Sequence, residues 1–177
     1  MTSSNRTDRW IPDAVEALKQ ADVEVVAHLP DSKIGPLIEA VESDSAFETV
    51  QVAREEAAIG VLTGAWVGGT RGALLCQSSG LANAINAIGS LTLPARTPFF
   101  AVVTRRGNLG EFNVAQVPVG YNIDRILDDF GVRNDTVTEA DDVGHHIRLA
   151  AESAFSTATP YIILLEQTVT GSKLEGL

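Results

Sequence analysis

Apolar positions along the chain recur in two alternating rhythms. Short aliphatic runs at 23–29, 47–52, 73–77, 98–104, 132–137 and 161–166 have the length of strands. Between them, apolar residues return every three or four positions, the spacing of one helix face. Residues 12–21 carry Ala14 and Leu18 at that spacing, and 33–41 carry Ile34, Leu37, Ile38 and Val41. A helix over 55–67 ends at Gly68-Gly69. Further helices are predicted over 81–93, stopped near Pro94, over 121–130 and over 139–155. A loop with three glycines spans 105–120, and residues 1–10 and 171–177 read as loose tails.

Strands alternating with helices at this spacing define βαβ units. The expected architecture is α/β: a doubly wound, mostly parallel six-stranded sheet with helices on both faces. No repeat, low-complexity stretch or linker interrupts residues 1–177, which predicts a single domain. Sheets of this kind bind ligands outside the carboxyl ends of their strands. The residues that follow each strand are therefore the candidates for chemistry.

Composition narrows the classes. A hydrophobic share of 45% is that of a globular protein. Thirteen basic against 23 acidic side chains leave a net charge of −10, which opposes docking on phosphate backbones or anionic lipid. The longest apolar runs, Phe99 to Val103 and Tyr161 to Leu165, fall far short of the ~20 residues that span a bilayer. No apolar signal segment follows Met1, and one cysteine, Cys76, excludes an internal disulfide. Neither nucleic acid nor membrane is an expected partner, and the expected location is cytoplasmic.

Four successive strand ends carry polar groups: His28-Leu29-Pro30-Asp31-Ser32, Arg54-Glu55-Glu56, Gln77-Ser78-Ser79-Gly80 with Asn83, and Thr104-Arg105-Arg106-Gly107 running on to Glu111, Asn113 and Gln116. Helix capping by Asp31 or Ser32, and by Ser78 or Ser79, accounts for part of this. It accounts less well for two arginines and a double glutamate at one edge. A phosphate-binding P-loop and a hydrolase nucleophile elbow are both absent, and Gly68, Gly69 and Gly72 follow a helix rather than a strand. Neighbours on a helix do not share a face, so His145 and His146 make a poor metal pair.

The run Val52-Ala53-Arg54-Glu55-Glu56-Ala57-Ala58, with Gly64 nine positions after Glu55, resembles the thiamine-diphosphate enzymes at their cofactor-activating glutamate. Pro30-Asp31-Ser32, the arginine and glutamates at 54–56, Gln77-Ser78-Ser79-Gly80 through Asn83, Arg106-Gly107 and Gln116 through Gly120 occur in order over about residues 23–120. Together they are similar to the sulfopyruvate and phosphonopyruvate decarboxylases of that family. The diphosphate-binding G-D-G and N-N pairs of the full enzymes do not occur, so the chain resembles the pyrimidine-binding half alone.

The resemblance implies an alpha subunit that works with a diphosphate-binding beta subunit of similar length, in a hetero-oligomer with two or more copies of each. The partner would hold Mg2+ and the cofactor's diphosphate, and the substrate would be a 2-oxo acid. Glu55 is the implied catalytic carboxylate, with Ser79, Gly80 and Asn83 beside it at the cofactor. Arg105 and Arg106, whose guanidinium forks suit a sulfonate or phosphonate, are expected at the substrate with Asp31, Ser32 and Gln116. His28 is either a proton donor or a half-buried strand-end residue. Trp66, on an alanine-rich helix, suggests a subunit contact, and the small residues of that helix suit a dimer or tetramer. Two alternatives stay open: a carboligase or a decarboxylase of another oxo acid, and a non-catalytic α/β binding or regulatory module.

Overall fold

The computed structural model describes residues 9–172 and 174. Most of the two expected loose tails, residues 1–8, 173 and 175–177, lies outside the described residues. The chain runs α1 (Ile11–Gln20), β1 (Val23–His28), α2 (Gly35–Glu42), β2 (Glu48–Gln51), α3 (Glu55–Val67), β3 (Arg71–Gln77) and α4 (Ser78–Ala87). It continues with α5 (Leu93–Ala95), β4 (Phe100–Thr104), α6 (Val117–Asp129), β5 (Arg133–Val137), α7 (Val143–Thr157), β6 (Tyr161–Leu165) and α8 (Gln167–Thr170).

All six strands pair in parallel, in the order β2-β1-β3-β4-β6-β5. Strand pleating sends alternate residues to opposite faces, and the two cores follow that alternation. Ala73 and Leu75 face the side covered by α1, α2 and α7, where Leu18, Leu37 and Ile147 pack. Leu74 and Cys76 face α3, α4 and α6, where Ile59, Leu81 and Ile123 pack. The four inner strands are nearly continuous in apolar residues because both faces are covered. The edge strands β2 and β5 are only partly buried.

Several helix boundaries differ from the sequence expectation, α7 for one starting at Val143 and not at 139. The fourth helix begins at Ser78 rather than 81, widens into a π turn at Ile88–Thr92, and resumes as α5. The widened turn places Pro94 in the first turn of α5, where its missing N–H costs nothing. Helix α6 starts at Val117, inside the stretch expected as loop, because Pro118 is tolerated at a helix start. The four-residue α8 carries no periodic signal and was not expected. Trp66 is partly buried and stacks on Phe155 of α7, ring centroids 6.1 Å apart. Among the described residues no helix is long and apolar enough to cross a membrane.

The crossover from β1 leads outward to β2, whereas that from β3 leads the other way to β4. The order therefore reverses between β1 and β3, and a crevice opens at their carboxyl ends. His28 to Asp31 and Gln77 to Gly80 border it.

Candidate active site

Glu55 opens α3, directly after the extended Arg54 at the end of the β2 crossover. It is 8% exposed, and no hydrogen bond or ion pair from the described residues reaches its carboxyl group. The reason it fits is Gly80, in the first turn of α4. A Cβ on Gly80 would stand 2.5 Å from Glu55 Cδ and 2.9 Å from Cγ. The carboxylate thus lies directly on the glycine backbone, and two of the sequence motifs form one contact. The side chain is largely buried while its carboxylate oxygens still reach solvent, so the group is open to a donor that enters the crevice.

A neighbouring thiol registers the same charges. Cys76 is fully buried at the end of β3; burial pushes its thiol pKa up, and the carboxylates of Glu55 and Asp31 push it further. Glu55 and Asp31 therefore both lie near the end of β3. Asp31 is not the expected cap of α2, whose N-cap is Ile34 with no side-chain bond. Its Oδ1 instead accepts the Lys33 N–H at 3.0 Å, which shapes the turn after β1. Ser32 is exposed on that turn.

Serine capping of α4 also differs from expectation, since Gln77 holds the N-cap position without a side-chain bond. Ser78, fully buried, has another partner: its Oγ accepts the Arg106 N–H at 3.0 Å and joins the ends of β3 and β4. Ser79 is half-buried and Asn83 exposed, one turn after Gly80. Their side chains have no hydrogen-bond partner among the described residues.

The two arginines stand differently from the sequence expectation. Arg105 is buried and its fork is fully engaged within the fold. Nε and Nη2 donate to the carbonyls of Gly120 and Tyr121, and Nη2 and Nη1 meet Asp124 at 3.1 Å and Glu166 at 3.3 Å. It is not free to grip a substrate, because each of its three guanidinium nitrogens already meets an acceptor on α6 or Glu166 after β6. Arg106, also buried, donates from Nε to Glu111 Oε2 at 2.8 Å, and its Nη1 stands 3.7 Å from Asp31.

Glu111, named among the polar residues that follow β4 but given no role there, is the hub of this loop. Besides Arg106 it accepts the N–H groups of Gly107, Phe112 and Asn113, and Gln167 Nε2 at 3.2 Å. Burial pushes its pKa up, but these donors and the Arg106 charge outweigh that and hold it down at about 2. No local pattern marks it, since a glutamate in a glycine- and asparagine-rich loop reads as solvated. Ser78, weighed with Ser79 only as a cap, is buried instead, in keeping with its place one residue after a buried strand.

The same loop explains a further motif pair. A Cβ on Gly107, whose φ is +80°, would meet Gln116 O at 2.5 Å, and one on Gly120 would meet Arg106 C at 2.5 Å. The two glycines let the chain after β4 and the start of α6 touch backbone to backbone. Gln116 is half-buried there, with Oε1 unpartnered.

His28 departs from a catalytic placement. Its ring is 1% exposed and turned towards α2, 3.2 Å from Glu42 but without the alignment of a hydrogen bond. Desolvation lowers its pKa, against a smaller upward pull from Glu42. Helix α2 lies on one face of the sheet and α3, which carries Glu55, on the other. The pleat thus separates the imidazole from the Glu55 carboxylate.

A parallel sheet with its crevice at a topological switch point, and a buried unpaired glutamate opening a helix there, define a cofactor-binding α/β domain. The chain belongs to the family described as pyruvate flavodoxin/ferredoxin oxidoreductase, thiamine diP-bdg, whose model matches residues 16–176. It is 33% identical over 151 residues to the sulfopyruvate decarboxylase subunit alpha of Methanococcus maripaludis, covering 85% of this chain and 90% of that one. It is 42% identical over 99 residues to the phosphonopyruvate decarboxylase of Streptomyces viridochromogenes, covering 56% of this chain and 25% of that larger one. In fold it is similar to a 2-oxoglutarate:ferredoxin oxidoreductase from Magnetococcus marinus, with a TM-score of 0.73 at 16% identity over 94% of this chain and 29% of that one.

Proposed function

We propose that this chain is the pyrimidine-binding alpha subunit of a two-chain, thiamine-diphosphate-dependent decarboxylase of a 2-oxo acid. The observation that carries the reading is Glu55: a largely buried side chain whose carboxylate has no partner among the described residues, seated on Gly80 at the switch point of the sheet. That carboxylate suits the protonated ring nitrogen of an aminopyrimidine, a donor the fold itself does not provide. Bound thiamine diphosphate supplies a carbon nucleophile and the electron sink for loss of carbon dioxide.

The chain's own residues bind and hold. Glu55 accepts the hydrogen bond from the pyrimidine ring and shares its proton. Gly80 leaves room for that carboxylate, and Ser79 and Asn83 offer hydroxyl and amide groups beside it. Asp31, Ser32 and Gln116 line the side towards the substrate. Mg2+ and the diphosphate fall to a beta subunit, because the G-D-G and N-N pairs that hold them in full enzymes do not occur in these 177 residues. The similarity to named sulfopyruvate and phosphonopyruvate decarboxylases supports an oxo acid with a second anionic group as substrate.

The test is co-expression with a beta subunit that carries both pairs. Carbon dioxide release from sulfopyruvate, phosphonopyruvate and pyruvate is then followed with thiamine diphosphate and magnesium. Release that needs the cofactor and collapses in Glu55→Gln is the expected result. Equal release by Glu55→Gln would remove the glutamate from its assigned role. An intact, cofactor-loaded complex that releases nothing from any of the three acids would turn the reading to carboligation.

A further inference from the structure

Among the described residues, the carboxyl edge of the sheet holds four cations, Lys33, Arg54, Arg105 and Arg106, and each is already engaged. Arg54 pairs with Glu56 at 2.6 Å, and Lys33 Nζ reaches the Thr170 carbonyl at 3.5 Å. Arg105 lies between Glu166 and Asp124, and Arg106 between Glu111 and Asp31. Glu55 adds a carboxylate that no cation of the described residues matches. Among the described residues, the six carboxylates of Asp31, Glu55, Glu56, Glu111, Asp124 and Glu166 thus face these four cations along the carboxyl edge, in a chain whose net charge is already −10.

A second anionic group on the substrate would enter a field of its own sign. Arg106 does not reverse this, because its two carboxylate neighbours outnumber its single charge. Its bidentate side, the geometry that suits a sulfonate or phosphonate, is occupied by Glu111 at 2.8 and 3.4 Å. The side chain is also pinned at its root, where its N–H donates to Ser78 and its carbonyl carbon packs against Gly120. This is the environment of a structural counter-ion.

From this charge balance, and resting on the function proposed above, we infer that the cation recognising the substrate's second anion is an ammonium or guanidinium group of the partner subunit. Arg105 and Arg106 are internal counter-ions that shape the loop after β4. The site is therefore incomplete in charge as well as in cofactor ligands, and the partner's facing surface is basic at its centre. Around that centre the loop offers apolar contact: Leu109, Phe112, Val114 and Tyr121 are between half and four-fifths exposed. A partner surface with a cationic centre and an apolar rim would cover both features at once.

The experiment uses the reconstituted complex and reads the ratio of kcat/KM for sulfopyruvate to that for pyruvate. Each Lys and Arg on the partner's face towards this chain is replaced by Ala in turn, and Arg106→Lys is made in this chain. Arg106→Lys keeps the charge and the Glu111 pairing but removes the fork. The expected result is at least a tenfold fall in the ratio for one or more partner substitutions. In Arg106→Lys the ratio should stay within about threefold while the unfolding temperature drops. A tenfold fall in Arg106→Lys, or no fall in any partner variant, overturns the inference.

Calorimetric binding of phosphonoacetate to the same variants gives a readout independent of turnover. A wild-type complex that binds this dianion but decarboxylates neither acid would defeat the proposed function and leave the inference standing on the binding series. A complex that binds no phosphonoacetate overturns the inference.

Discussion

Gly80→Ala separates the site from the stability of the fold. The new Cβ would stand 2.5 Å from Glu55 Cδ and 2.9 Å from Cγ. Carbon atoms rest at roughly 3.5–4.0 Å, so the carboxyl group must move by about 1 Å or more. It can do so, because the obstacle is the far end of a flexible side chain and not backbone. Forcing that side chain off its rotamer costs about 1 kcal/mol. Replacing a helical glycine by alanine returns about 1 kcal/mol, so the two effects nearly cancel. The expected unfolding free energy is within about 1 kcal/mol of wild type. Activity should respond very differently, because a 1 Å misplacement of a reacting group costs on the order of 100-fold. The assay is urea unfolding of the variant beside cofactor-dependent carbon dioxide release by the complex at saturating thiamine diphosphate. Wild-type turnover in Gly80→Ala would refute the assignment of Glu55, and a loss of more than about 3 kcal/mol would show that the carboxylate cannot yield.

Gly120→Ala should behave in the opposite way: its Cβ would meet the Arg106 backbone at 2.5 Å, which cannot rotate away. A loss of about 2–3 kcal/mol in urea unfolding is expected, with the site loop disturbed as a consequence. Glu111 makes stability depend on acid. Its pKa is held down at about 2 in the folded chain against an ordinary glutamate value of 4.5. A depressed folded pKa gives stability that is fully present above about pH 4.5 and is lost as pH falls towards about 2. The shift corresponds to at most about 3 kcal/mol. Unfolding titrations should therefore show wild type losing stability through that window, and Glu111→Gln should be weaker at pH 7 and flatter below it. A parallel pH dependence in the two proteins would refute the ionic role of Glu111.

The architecture was largely legible in the order of residues. Aliphatic runs of strand length alternating with helical spacing predict a doubly wound sheet, because periodicity reports which faces are covered. Glu55 was legible too, since a carboxylate at a strand-to-helix junction needs no distant partner to be noticed. So were the paired motifs, although not the reason for their pairing. That Gly80 exists to seat Glu55, and that Gly107 and Gly120 exist to let two backbones touch, are contacts between segments remote in sequence. Which face of the sheet His28 occupies depends on the pleat, and the side of Glu55 on which helix packs there. Above all, charge partners are decided in three dimensions. Two adjacent arginines, alike in sequence, find Glu166 and Asp124 in one case and Glu111 and Asp31 in the other. A side chain's type sets what it can bind; only the packed fold, through the carboxylates it brings within reach, decides whether that capacity is still free.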